Sequence, residues 1–211
     1  MLRFGIALFL AGMASAAVVD RIAIVIGRQV ITELQIDEEL RVTAFLNRQP
    51  IARDLNTRRA AASRLVEQLL IQQEMQVSRY PLPDAADVDK YLDDVRGSFG
   101  ARAAFTEALS TYGLTEAVLK EHLALQLTTL RFIEFRFQPE IDISDAEIES
   151  AYERETSNRH AQHLDAPPTL AASRDAIRKT LADQRVDQAL DAWLAQRRRR
   201  ANVVYRDASL Q

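Results

Sequence analysis

Apolar positions along this chain recur with two different periods, and the changes of period mark out the elements. Residues 18–26 (VVDRIAIVI) are rich in β-branched side chains, residues 27–29 (GRQ) read as a turn, and residues 30–32 return to the same character, which predicts a small hairpin. Thr32 then stands three residues before Gln35, the spacing of a capping box, and predicts a helix with Leu34, Leu40, Phe45 and Leu46 on its apolar side, ending near Gln49 and Pro50. Residues 56–78 repeat with the helical period through Leu65, Leu69, Leu70 and Met75, until Pro81 and Pro83 break the pattern. Asp84 predicts the N-cap of a helix that carries Val88, Tyr91, Leu92 and Val95 and closes at Gly97 and Gly100. A short helix follows over residues 103–112. The longest helix of the middle section spans residues 115–137, with Val118, Leu119, Leu123, Leu127, Leu130 and Ile133 as its expected inner positions and Pro139 as its stop.

Ser144 and Glu147 repeat the capping-box spacing and predict one more helix. Residues 156–169 (TSNRHAQHLDAPPT) read as a linker. Residues 170–200 then carry one stripe, Leu170, Ile177, Leu181, Val186, Leu190, Trp193 and Leu194, on a helix about eight turns long. The final apolar stretch, residues 202–205 (NVVY), reads as a strand. A strand this short needs a partner, and the opening hairpin is the obvious one, which would close the two ends of the chain into a single unit.

Composition adds a compartment. Arg3, the apolar run at residues 4–13 (FGIALFLAGM) and Ala14, Ser15 and Ala16 form the three parts of a secretory signal, so residues 1–16 are expected to be removed on export. That run is shorter than the roughly 20 residues a membrane span needs, and no second run approaches it, so no stable membrane insertion is expected. The chain has no cysteine, which rules out disulfides and thiolate metal sites and leaves stability to an ordinary core. With 211 residues and 47% hydrophobic content such a core can form, and the length fits roughly one or two domains. A formal net charge of -3 favours neither nucleic acid nor an anionic membrane as a partner.

Little in the sequence points to catalysis. His160 and His163 lie three residues apart in the expected linker, with no fixed donors beside them, and a solvated linker is the stronger reading than a metal site. His122 falls mid-helix and reads as a packing or surface residue. Residues 197–200 are four consecutive arginines, read as cations favoured at a helix C-terminus and preceded by Asp183, Asp187 and Asp191 on the same helix. The clusters Asp37, Glu38, Glu39 and Asp93, Asp94 read as solvated helix faces. No phosphate loop, nucleophile elbow or HExxH motif occurs, so no catalytic residue, metal ligand or cofactor is assigned. Phe99, Phe105, Phe132, Phe135, Phe137 and Trp193 are candidates for either core or a client surface. In FIEFRF the three phenylalanines cannot share one narrow stripe, so at least one is expected to be exposed or to cover a second element.

Four segments together resemble the SurA-type periplasmic chaperones: VVDRIAIVIGRQVITELQIDEEL, the helix with RLVEQLLIQQEMQ, FRFQPEIDISDAEIESAYE, and the closing RKTLADQRVDQALDAWLAQRRRRANVVY. The likeness covers nearly all of the chain after the signal, and the order of the pieces carries it more than any single motif. It implies an N-terminal helical domain over residues 17–155 and a C-terminal helix and strand, residues 170–211, packed on it. Family members usually carry parvulin prolyl isomerase domains between these two parts. Such a domain needs about 90 to 100 residues, so the 156–169 join has no room for one and isomerase activity does not carry over.

The expectation is a mainly α fold with a small sheet built from the N-terminal hairpin and the C-terminal strand. The expected function is a periplasmic chaperone that binds unfolded or extended polypeptide without catalysis. Outer-membrane proteins as clients are implied by the resemblance alone. Two alternatives stand beside it: an assembly protein acting as a homodimer, domain-swapped or not, and a degenerate prolyl isomerase. The client-binding residues are not legible in the sequence.

Overall fold

The computed structural model describes residues 20–165 and 167–210; the signal-like segment 1–16, the start of the expected first strand, Ala166 and Gln211 lie outside the described residues. The architecture is mainly helical with one small antiparallel sheet, as the periodicity predicts. Strands β1 (Ile22–Ile26) and β2 (Gln29–Thr32) form the opening hairpin. Its turn is Gly27 and Arg28, with Gly27 at φ 59°, a left-handed conformation that glycine adopts without a Cβ penalty. Helix α1 (Glu33–Asn47) starts on the predicted capping box: Thr32 Oγ1 accepts from Gln35 N at 3.3 Å and Gln35 Oε1 accepts from Thr32 N at 2.9 Å. Helix α2 (Leu55–Ser78) is capped by Asp54, whose carboxylate accepts from the backbone of Asn56 and Thr57. Helices α3 (Ala85–Gly97), α4 (Arg102–Thr111) and α5 (Glu116–Arg136) follow, α3 on the predicted Asp84 cap and α5 on Thr115.

Helix α6 (Asp145–Ala161) begins on the second predicted capping box, Ser144 with Glu147, and ends later than the sequence indicates. The expected linker began at Thr156, yet Thr156–Ala161 continue the helix. Those residues are polar but contain no helix breaker, and local pairs hold them. Thr156 Oγ1 donates to Tyr152 O at 2.9 Å, and Arg159 lies 3.6 Å from Glu155 one turn back. The described non-helical residues of the join are therefore 162–165 and 167–169. Helix α7 (Leu170–Ala201) follows, and Asn202 at φ 49° turns the chain into β3 (Val203–Tyr205). β3 pairs antiparallel with β1, opposite Ile24, Val25 and Ile26, which gives the order β2-β1-β3 and joins the two ends of the described chain as expected.

Three apolar clusters hold these elements. The inner face of the sheet (Ala23, Ile24, Ile26, Ile31) packs on Ile36 and Leu40 of α1, on Ala61, Ala62, Val66 and Leu70 of α2, and on Leu210 near the C-terminus. Val42 and Phe45 of α1 meet Leu92, Phe105, Leu109, Leu119 and Leu123 from α3, α4 and α5. Ile71 and Met75 of α2 meet Phe132, Phe137 and Leu194, which fastens the C-terminal half of α7 to the body. Full burial of each such side chain contributes about 1.5–3 kcal/mol relative to exposure. Two expected inner positions turn out otherwise. Leu34 is exposed because it sits in the first turn of α1, beyond the sheet, and Leu130 is 56% exposed because α5 buries the face of Leu119, His122, Leu123, Thr128 and Phe132 instead.

Of the α7 stripe only Leu194 is fully buried, the rest being half-covered, so polar contacts align the helix along its length. Arg174 bonds Asp145 at 2.5 Å, and Arg185 reaches both Glu147 and the Asp142 carbonyl on the α6 side. Further on, Arg197 lies 3.4 Å from Glu74, and Arg198 bonds Glu67 and Ser63 of α2. Two of the four consecutive arginines therefore act as tertiary anchors, beyond the dipole effect the sequence indicated.

Candidate functional site

On the side of α2 away from the sheet, the helices do not close. A cleft of about 490 Å³ opens there, within the size range of sites that hold small molecules or short peptide segments. Leu46, Ile71, Tyr91, Leu130, Leu190 and Leu194 supply apolar wall from α1, α2, α3, α5 and α7. Thr43, Asn47, Gln68, Gln126 and Thr129 place neutral hydrogen-bonding groups among them. Spacing explains the composition. Arg64, Glu67, Gln68 and Ile71 are three or four residues apart on α2 and share one face, while Ala61, Ala62, Val66 and Leu70 share the other.

The charged residues at the cleft are matched to one another. Glu39 is 5% exposed, which corrects the reading of its cluster as a solvated face. It lies three residues after Ile36 and three before Val42, both buried, so the helical period carries it inward. Arg64 Nε donates to Glu39 Oε1 at 2.7 Å, Thr43 Oγ1 donates to the same oxygen at 3.2 Å, and Arg64 Nη2 donates to Thr43 Oγ1 at 3.2 Å. On the far side of the carboxylate, His122 Nε2 stands 3.4 Å from Glu39 Oε2. His122 Nδ1 stands 3.2 Å from the Val118 carbonyl oxygen and 3.9 Å from Glu38. Acceptors therefore face both ring nitrogens, the arrangement of an imidazolium. Burial works against that charge, but the hydrogen bonds to Glu39 and Val118 and the charges of Glu39 and Glu38 outweigh it, and the His122 pKa lies above its ordinary 6.5. Glu39 is likewise opposed by burial, yet its hydrogen bonds and charge pairing with His122 and Arg64 hold its pKa below the ordinary 4.5. Glu67, also at the cleft, is bonded by Arg198 at 2.5 Å.

One wall group is unmatched. Gln68 Oε1 is buried and has no hydrogen-bond partner within the protein. An acceptor left in that state costs about 1–3 kcal/mol.

The residues singled out from sequence lie elsewhere. His160 sits exposed in the last turn of α6 and His163 exposed just beyond it. Among the described residues no group of three or more His, Asp or Glu side chains is placed to hold a metal ion. Asp93 and Asp94 are exposed, and Asp93 bonds Arg96. The aromatic candidates are mostly core. Phe99 and Phe105 join Phe45, with ring centroids 5.1 and 6.1 Å away, and Phe132 packs on Phe137 and Trp193. In FIEFRF the exposed ring is Phe135, at 38%, stacked on Tyr80. None of these phenylalanines lines the cleft. The cleft residues Glu39, Arg64, Gln68 and Gln126 are those that sequence reasoning missed. The one signal for them was polar side chains falling at apolar spacing. Among the described residues no helix is long and apolar enough to cross a membrane.

No protein-family model matches this chain, and no curated protein matches it in sequence at a significant level.

Proposed function

We propose that this protein binds extended, unfolded polypeptide in the cleft between α1, α2, α3, α5 and α7, as a chaperone and without catalysis. The observation that carries the reading is the chemistry of the cleft wall. A polypeptide segment offers apolar side chains alternating with backbone amides. The wall offers apolar side chains interspersed with amides and hydroxyls that pair with such backbone irrespective of sequence. The acidic groups of the wall are already matched, Glu39 by Arg64 and His122 and Glu67 by Arg198, so an uncharged segment suits it better than one of either sign. Binding of this kind is weak, because ordering a flexible client costs conformational entropy.

The resemblance of residues 17–155 and 170–211 to the SurA-type chaperone core supports the same reading, as does the signal-like start, which fits a periplasmic site of action. Outer-membrane proteins in transit are the proposed clients. The test is suppression of aggregation of an unfolded outer-membrane protein diluted from denaturant. Light scattering falls in the presence of a several-fold excess of this protein if the reading holds, and stays at the buffer level if it does not. A Leu190→Asp variant, which places an unmatched charge in the cleft wall, loses the suppression.

A second reading, self-association as a homodimer, is favoured by one observation. Among the described residues β2 and β3 are both edge strands, and Val30 and Val204 are exposed on them at 43% and 37%. A molar mass that stays at the monomer value across a concentration series excludes it.

A further inference from the structure

We infer that Gln68 is the residue through which the cleft grips the backbone of its client. The inference rests on the proposed peptide binding and goes beyond it by assigning one pairing to one side chain. Three observations carry it. Gln68 stands on the cleft face of α2, one helical turn from Arg64 and from Ile71. Its neighbours on that face are held: Arg64 by Glu39 and Thr43, and Glu67 by Ser63 and Arg198. Across the cleft, Gln126 Oε1 accepts from the Tyr91 hydroxyl at 3.2 Å. Gln68 Oε1 alone among the cleft oxygens is buried with no partner. Arg198 Nε, on the side chain that holds Glu67, is also buried without a partner, but it is a donor, so Gln68 Oε1 is the acceptor that gains most from an incoming N–H.

In the free protein the Gln68 amide oxygen is packed inward, away from the water of the cleft, and no hydrogen bond locks it there. A client segment entering the cleft presents one backbone N–H per residue, and the amide turns outward to accept one of them. The acceptor that is unsatisfied in the free protein is then satisfied in the complex, so the gain falls on binding and not on folding. Stability and affinity are therefore expected to move in opposite directions when this side chain is replaced by an apolar one of similar shape. A residue of merely structural importance would not produce that pattern.

The test uses the full chain and a capped peptide with a Val-Leu-Val centre and Gly-Ser ends. In three analogues each central amide is replaced in turn by an ester, which removes the N–H and keeps the shape. Against the wild-type protein, calorimetric titration is expected to find one ester analogue bound about tenfold more weakly than the parent. Against Gln68→Met, that analogue and the parent bind equally, both near the weaker affinity, while the thermal midpoint rises by about 2–4 °C. Equal binding of the parent and all three esters by the wild-type protein overturns the inference but leaves peptide binding intact. Discrimination that persists in Gln68→Met assigns the grip to another group and overturns it too. Binding of no peptide at all removes the functional reading, and the role of Gln68 with it.

Discussion

The two faces of α2 solve opposite problems with the same helix. One face, Ala61, Ala62, Val66 and Leu70, is closed against the sheet with each of these side chains fully buried. The other, Arg64, Glu67, Gln68 and Ile71, stops short of closing and leaves a cleft walled by matched charges and neutral amides. The first face is wholly apolar: two adjacent alanines, Val66 and Leu70 join the cluster that also holds Ala23, Ile24 and Ile26 of the sheet. Long polar side chains mark the second, where Arg64 bonds Glu39 of α1 and Glu67 accepts from Arg198 of α7. A closed face stabilises by dry packing alone. An open face has to satisfy its own polar groups, and its one buried acceptor left without a partner in the protein is Gln68 Oε1. Departures from complete satisfaction of this kind are where function is most often found.

That contrast can be broken from either side. The largest effect is expected on the closed face: Leu70→Ala leaves a cavity in the sheet cluster and costs about 3 kcal/mol in denaturant unfolding. It leaves peptide affinity unchanged at temperatures where the variant is folded. A shift in affinity would show that the two faces are not independent. Next is Arg64→Met, which leaves the buried Glu39 carboxylate with His122 as its only charged partner in contact and costs about 2 kcal/mol in the same measurement.

Third is a pH dependence that involves the buried pair behind the open face, Glu39 and His122. The folded pKa of His122 is raised, so the stability its imidazolium contributes is fully present below about pH 6.5 and is lost as the pH rises through the folded value. Glu39 has the opposite sign. Its contribution is present above about pH 4.5 and is lost as the pH falls through its lowered folded value. Denaturation midpoints of the wild-type protein are expected to decline as the pH rises above about 6.5, and those of His122→Asn to lack that decline. An unchanged slope in the variant would place the titrating group elsewhere. The smallest effect on stability belongs to the rim. Leu130→Asp changes an exposed side chain and moves unfolding by no more than about 0.5 kcal/mol, while peptide affinity falls about tenfold because a charge now faces an uncharged client.

Element existence was legible wherever a local signal decided it. Thr32 with Gln35, Asp84, and Ser144 with Glu147 cap the helices that their spacing predicts, because a cap depends on groups within one turn. Pairing of residues 203–205 with the opening hairpin was legible for a different reason: so short a strand has no other way to satisfy its backbone. The cleft was not legible. Glu39 looked like one member of an acidic run, and only the approach of Arg64 and His122, from helices far apart in the chain, makes its burial tolerable. Leu130 looked like core because periodicity identifies a stripe and not the neighbour that covers it. The end of α6 was missed because the polar residues after Thr156 carry no helix period, and pairs such as Glu155 with Arg159 hold the helix there.

By itself the sequence determined a mainly helical chain with a terminal sheet, its helix starts, the absence of thiol chemistry and the shortness of the segment between α6 and α7. These follow from interactions within a few residues and from composition. Tertiary structure alone decided which helix faces close, where charges are buried and matched, and that one amide is left without a partner. Each of those depends on the distance between side chains on separate helices, a quantity that no local pattern encodes.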